Sequence, residues 1–477
     1  MITALTLAPV VAALLILALP EARARAVALA GALVSLTLAV WMLVQFDVDA
    51  DGLQFREKAT WIPALGIDYF VGLDGTNALV LLLAALLAPL VVLASWQHTD
   101  RPRTYFVLLS LLFTGLFGTF TALNFFHWFL YWELALVPPF FLIKLFGKGE
   151  ERHSAALNFF LFTVLGSVAM LLGFLFLHRE TGTFDFIELA EKGVTVSPLI
   201  FCAILAGLWV KVPLAPLHIW QAPAYAAAPT PVAMLLTGVM SKMGVYGFLR
   251  LIVPIFPGQL RQYAGVLMAF ALVTILWGAF LALRQTDLKR LLAYSSINNV
   301  GFILIGLAAA TPAGVAASLT YLAIYVAMVL GSFTALLMLR DPAGNNLETF
   351  TDISGLSTKR PALAWALLAL MFSLAGIPPL FGFWGKFVVF QAAVQADLVA
   401  LAAIGIAASV IGAFYYLKFI KVMFFDEPLR EIEAESPASH WAVLAICVAI
   451  ISPLGYLLTL PLGDWTAQAA ASFVAAM

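Results

Sequence analysis

The chain reads as an all-α polytopic membrane protein of about fourteen transmembrane helices, and three observations carry that reading. Hydrophobic residues make up 63% of its 477 residues and charged residues only 11%, where a soluble domain carries about 25% charged residues. Mean hydropathy is +1.01. The apolar residues come in runs of about twenty, the length an α-helix needs to cross the hydrocarbon core of a bilayer.

By that measure the spans fall at 3–20, 26–45, 75–95, 105–122, 124–146, 154–178, 198–220, 229–253, 262–283, 290–309, 313–339, 361–395, 398–424 and 440–461. No basic segment precedes the first run, so it is expected to be a retained helix and not a cleaved signal. The fourth and fifth runs nearly touch, which requires a tight turn at Asn124. The longest polar connections are 46–74, 179–197, 340–360 and 425–439, and none has the size of a soluble domain.

Numbering the connections alternately by side puts sixteen Lys and Arg on one face, among them Arg23, Lys148, Arg152, Lys289, Arg340 and Lys421. The other face carries six, among them Arg56, Lys58 and Arg250. The positive-inside rule makes the first face cytoplasmic and puts both termini outside. With a net charge of −1 nothing points to a nucleic-acid partner, and none is expected. The two cysteines, Cys202 and Cys447, lie in apolar runs, form no CxxC and are too few for an iron–sulfur cluster. There is no GxGxxG and no Walker A motif, so no cofactor or metal site is expected in this chain.

The interior charges carry the function. The stretch Leu208–Trp220, LWVKVPLAPLHIW, begins in an apolar run and then places Lys211, Pro213, Pro216 and His218 at membrane depth. The prolines remove backbone donors and break the helix. In lipid such a break is tolerated only where protein or a water-filled cavity satisfies the freed carbonyls. Lys242 lies in LLTGVMSKMGVYGFLRL among Gly238, Ser241 and Gly244, which let neighbouring backbones approach. Arg250, eight residues on, is the better placed of the two to snorkel to the interface. Lys386 lies in SLAGIPPLFGFWGKFVVF, after a second break at Pro378 and Pro379. Of the 26 acids only Glu133, in FFHWFLYWELALVPPFFL, falls inside a span. One carboxylate and three ammonium groups on four helices are expensive in a membrane and mark an ion or proton path.

The two proline-broken segments, the seventh and the twelfth, lie five helices apart. A five-helix unit repeated in tandem is inverted in topology, and paired broken segments point to a transport site. The expected organisation is 1–104 with helices 1–3, a first half-channel unit over 105–253, a second, inverted unit over 254–424, and 425–477 with helix 14. The second unit offers Ser295, Ser296, Asn298 and Asn299 where the first has Glu133, and no buried acid.

With YWELALVP, VKVPLAPLHIW, APTPV, SKMGVYGFLR, DLKRLLAYSS and SLAGIPPLFGFWGKF, the chain resembles the antiporter-like membrane subunits of bacterial NADH:quinone oxidoreductase, respiratory complex I, relatives of the multisubunit Mrp-type Na⁺/H⁺ antiporters. The resemblance covers nearly the whole chain. Its first half looks like subunit M and its second like subunit N. It implies fourteen helices in two inverted five-helix units, and a proton path through Glu133, Lys211, Lys242 and Lys386. It also implies that NADH, FMN, iron–sulfur clusters and quinone belong to partner subunits. The expected partners are other membrane subunits of the complex, the lipid bilayer and the transported protons. Desolvation disfavours a charged lysine and a nearby carboxylate favours it, so Glu133 and Lys211 are read as a switching pair. Lys242 is then the central relay, Lys386 the terminal one, and His218 a possible relay beside the break. The rival readings are a subunit of an Mrp-type antiporter and a membrane subunit of a hydrogenase-like complex.

Overall fold

A computed structural model describes residues 1–48, 50, 52–433 and 435–475. Helix makes up 76% of it, arranged as a polytopic membrane fold. In chain order the helices are α1 Ile2–Ala18, α2 Ala24–Gln45, α3 Gly75–Ala94, α4 Pro102–Thr121, α5 Phe125–Phe146, α6 Arg152–Thr181, α7 Pro198–Lys211, α8 Gln221–Ala227 and α9 Thr230–Ile255. They continue as α10 Pro257–Leu283, α11 Leu288–Ala308, α12 Pro312–Leu337, α13 Pro361–Ala375, α14 Phe381–Gln395, α15 Val399–Phe425, α16 Ala438–Ile451 and α17 Thr459–Ala475.

Among the described residues, ten helices are long and apolar enough to cross a membrane, or eleven if Ala438–Ile451 and Pro453–Ala471, bent by 65° at Ser452, form one span. The difference from the fourteen expected runs has local causes. The expected spans 198–220 and 361–395 are each interrupted, so that α7 and α13 stop short. Helix α1 has 17 residues. The centre of the molecule is α9, whose apolar window is wholly buried, and α11, nearly so; α2 and α15 present much of their surface outward, to lipid.

Helix starts follow capping chemistry. Asp74 caps α3 by accepting from the Thr76 and Asn77 amides, and the Asn77 side chain accepts in return from the Asp74 amide, a reciprocal capping box. Asn124 caps α5, accepting from the Phe126 amide at 3.1 Å, and makes the tight turn after α4. The 46–74 connection is not only a loop. Gln54–Ile62 (β1) and Ile67–Leu73 (β2) pair antiparallel around Pro63–Leu65, and Tyr69 of this hairpin lies against His127 at the start of α5, ring centroids 4.5 Å apart.

Candidate functional site

Helix α7 ends on Lys211 because Pro213 has no amide to continue the ladder. The groups freed by the break find protein partners. The Trp220 indole donates to the Val210 carbonyl at 3.1 Å, and the Ala215 amide donates to Thr274 Oγ1 of α10 at 3.0 Å. This is how irregular backbone survives at membrane depth. Gly244 of α9 presses on the same break. A Cβ there would meet the Val212 amide nitrogen at 2.7 Å, so only glycine lets α9 come this close.

Lys211 is buried with no hydrogen-bond partner on Nζ; the ammonium sits over the Trp132 ring, 5.2 Å from its centroid. Glu133, next to Trp132 on α5, is within electrostatic reach of Lys211, but the two form no ion pair within 4.0 Å. Ser167 of α6 stands beside the carboxylate and accepts from the Trp132 indole at 3.0 Å. His218 is buried on the broken stretch, beside the Pro216 carbonyl.

Lys242 occupies a short α-helical segment of α9, Lys242–Gly247, flanked by two wider π-helical stretches, Leu236–Met240 and Phe248–Ile252. Such π turns are frequent at functional positions. The Lys242 ammonium donates to Ser241 Oγ at 3.1 Å and lies 4.2 Å from the centroid of the Tyr325 ring on α12.

From there a line of hydrogen-bonding side chains runs into the second half. Tyr325 stands beside Ser296 of α11. Ser295 and Asn299, on the same helix, both bond the Tyr416 hydroxyl of α15, with Asn299 Nδ2 donating at 3.1 Å, and the Tyr321 hydroxyl of α12 donates to Asn299 Oδ1. The Tyr321 ring packs against Gly385, one residue before Lys386. Lys386 lies across its own break. Its Nζ donates to the Leu374 and Ala375 carbonyls and to Ser409 Oγ, each at 3.1 Å, and sits 4.7 Å from the Phe302 ring centroid. A cation on the last carbonyls of α13 satisfies acceptors that the break would otherwise orphan.

The four interior charges are therefore all buried or half-buried: Lys211, Lys242 and Lys386 fully, Glu133 partly. What the sequence reading did not find are the tyrosines, Tyr321, Tyr325 and Tyr416, which look like ordinary apolar residues until facing helices turn their hydroxyls together. One further charge differs from the expectation. Arg250 does not snorkel: it is buried, its Nη2 lies 2.6 Å from Asp74 Oδ2, and its Nε donates to the Tyr246 hydroxyl at 3.0 Å. Its partner sits on a helix distant in sequence, so no local pattern reveals the pair. Lys289, expected in a cytoplasmic connection, lies at the start of α11 beside the 340–360 connection, where it is buried against Glu348 at 3.3 Å. Among the described residues no three His, Cys, Asp or Glu side chains gather into a metal-binding group.

A polytopic helical membrane protein with two broken helices and a buried set of lysines, a glutamate and hydroxyl groups has the build of an antiporter-like membrane subunit. The chain matches the NADH:quinone oxidoreductase/Mrp antiporter transmembrane family over residues 122–412, and it belongs to that family. It is 52% identical over 344 residues to NADH-quinone oxidoreductase subunit N of Erythrobacter litoralis, with 71% of each chain covered. A chain in the solved structure of respiratory complex I from Thermus thermophilus with bound NADH superposes with a TM-score of 0.85 and 28% identity, over 99% of this chain and 100% of that one. A chain of the Mrp complex from Dietzia sp. shares the fold, with a TM-score of 0.85 at 23% identity over 99% and 97% of the two chains.

Proposed function

We propose that the chain is the subunit N-type, proton-translocating membrane subunit of a bacterial NADH:quinone oxidoreductase, moving protons while quinone is reduced elsewhere in the complex. The observation that carries this is the set of buried charges at the two breaks, Lys211 over Trp132 and Lys386 on the α13 carbonyls, with Lys242 against Ser241 and Tyr325 and the hydrogen-bonded Asn299, Tyr321 and Tyr416 in the second half. The subunit N identity of a 52% identical relative favours N over M.

In this reading the bent pair counts as one span and the three shorter apolar helices as crossings, which brings the total to fourteen. The units 105–253 and 254–424 are inverted halves, each with its broken helix. Both termini lie in the periplasm of the inner membrane, and the partners are the other membrane subunits of the complex, which hold the redox groups. Lys211 responds to Glu133 through the field across Trp132, Lys242 passes the proton between halves, and the tyrosine–asparagine cluster carries it to Lys386. His218 is a side relay at the first break. A tagged chain should co-purify with a complex oxidising NADH with quinone, and Lys242→Met should abolish proton uptake by inside-out vesicles without loss of assembly. Co-purification with an Mrp-type assembly that lacks redox subunits would transfer the chain to the antiporters, and full pumping by Lys242→Met would remove the relay.

A further inference from the structure

At the face that carries the 340–360 connection, three charged side chains meet on one oxygen. Glu348 Oε1 lies 3.2 Å from Lys148 Nζ and 3.3 Å from Lys289 Nζ. Their exposure falls steeply in that order: 50% for Lys148, 23% for Glu348 and 1% for Lys289. The carboxylate thus stands between a solvated ammonium and a fully buried one.

The site is held in place by backbone. The Leu288 amide donates to the Glu348 carbonyl at 2.8 Å, and Asp352 accepts from the Glu348 and Thr349 amides. On the inner side the Lys289 ammonium also donates to the Ala228 carbonyl at 3.2 Å, and the Lys148 amide donates to the Ala227 carbonyl at 2.8 Å. Both contacts fall at the end of α8, the second half of the first broken helix. On the outer side a cavity of about 220 Å³ opens beside Lys148, Asn346 and Thr230. Asn346 Nδ2, on its wall, reaches Glu348 Oε1 at 3.4 Å. Inward, Ala228 is three residues from Tyr225, about 4.5 Å along a helix axis. The Tyr225 side chain lies beside Ser241, which accepts from Lys242.

We propose that Glu348 and Lys289 form the proton-uptake station that loads Lys242 from the cytoplasmic side. This rests on the channel reading and orientation above. Glu348 takes a proton from water in the cavity when the flexible Lys148 swings away, changing from carboxylate to carboxylic acid. It hands that proton to Lys289 after Lys289 has released its own inward, past Tyr225 and Ser241, to a neutral Lys242. One cycle moves one proton: Lys289 goes from ammonium to amine as Lys242 gains its charge, and the proton from Glu348 then restores the Lys289 ammonium and the Glu348 carboxylate. A simple clasp between the two halves would also join these residues, but a clasp needs no cavity at its solvated end and no hydroxyl-lined way inward at its buried end.

The experiment uses the whole complex in inside-out vesicles and reads NADH-driven proton uptake, with assembly measured in the same membranes. Glu348→Gln, which keeps the shape and cannot cycle a proton, is expected to lose most of the uptake, and Glu348→Asp to restore it. The double variant Glu348→Gln/Lys289→Met separates the two roles. It leaves no stranded buried charge, so a clasp would recover when both charges go, whereas a proton station stays broken. Wild-type uptake by Glu348→Gln, or recovery in the double variant, overturns the proposal. So does failure of both variants to assemble, which would make the residues structural. Lys242→Met is the control: if it alone is impaired, only the uptake station falls; if it pumps normally, the channel reading falls first.

Discussion

The buried ion pair between Asp74 and Arg250 should be a main support of the end of the bundle where α3 begins, and the two roles of Asp74 can be separated. Asp74 caps α3 with one oxygen, accepting from the Thr76 and Asn77 amides at 2.9 and 3.1 Å, and holds Arg250 with the other at 2.6 Å. Asp74→Asn keeps a residue that caps as well as aspartate but removes the charge. It leaves the buried guanidinium, which also bonds the Tyr246 and Thr76 hydroxyls, without the carboxylate charge that Asp74 supplies. Breaking a buried pair in this way costs about 3–5 kcal/mol. Asp74→Ala should cost roughly 1 kcal/mol more, the value of the lost cap. The double variant Asp74→Asn/Arg250→Met should return most of the loss, because an apolar side chain in place of a buried charge is often neutral. Denaturant unfolding of the detergent-solubilised protein, followed by tryptophan fluorescence, measures all four proteins. If Asp74→Asn stays within about 0.5 kcal/mol of the parent, the range of an ordinary surface change, or if the double variant is as unstable as the single, the pair does not bear this load.

Three further outcomes are expected. In whole cells an impermeant thiol reagent should label a cysteine at Gln54, in the hairpin, and not one at Asn345; the opposite pattern reverses the orientation that the basic residues imply. Lys386→Arg should fail about as badly as Lys386→Ala if Lys386 is the proposed terminal relay, since arginine stays protonated and could not release a proton to the path; full pumping by the arginine variant would make Lys386 a fixed charge holding the Leu374 and Ala375 carbonyls. Burial alone would raise the Glu348 carboxyl, but Lys289 and Lys148 more than offset it and hold it below its usual range. A carboxylate depressed in the folded state contributes stability above its unfolded value and loses it as pH falls through the lowered one, so protection of the Leu288 amide from hydrogen exchange should stay flat from neutral pH down to about pH 4 and decline only below it.

How much of this was legible follows from the reach of each signal. Spans are legible because a run of apolar residues is a local property, and both breaks because Pro213, Pro216, Pro378 and Pro379 disrupt a helix wherever they stand. Glu133, Lys211, Lys242 and Lys386 were legible because a lone charge in an apolar run has no cheap explanation. The hairpin at 54–73 was legible in principle, through a turn at Pro63 and Gly66 between two strand-length stretches, but it was overshadowed by the polar character of the whole connection. The tyrosine cluster and the Arg250 and Lys289 pairs were not. Arg250 and Lys289 sit where a span meets its connection, a place where a basic residue is ordinary, and only the fold brings Asp74 and Glu348 to them.

Glu133 and Lys211 mark the point where the sequence suggests a pair and the geometry refines what pairing means. With no contact within 4.0 Å, any coupling must act through the field and not through a hydrogen bond. Two unit charges more than 4.0 Å apart at an effective dielectric constant of about 20 interact by less than about 4 kcal/mol. That caps the effect on a proton-transfer equilibrium at roughly a thousandfold. Glu133→Gln removes the field that favours the charged form of Lys211, and Lys211→Met removes the group that answers it. Each single variant should therefore lose proton pumping, and the double variant should be little worse than either, because residues that act as one unit are not additive. The measurement is NADH-driven pumping in vesicles for the two single variants and the double, each normalised to assembled complex. Losses that simply multiply, in complexes that assemble fully, would mean that the field across Trp132 does not couple the two groups, and that each serves the path on its own.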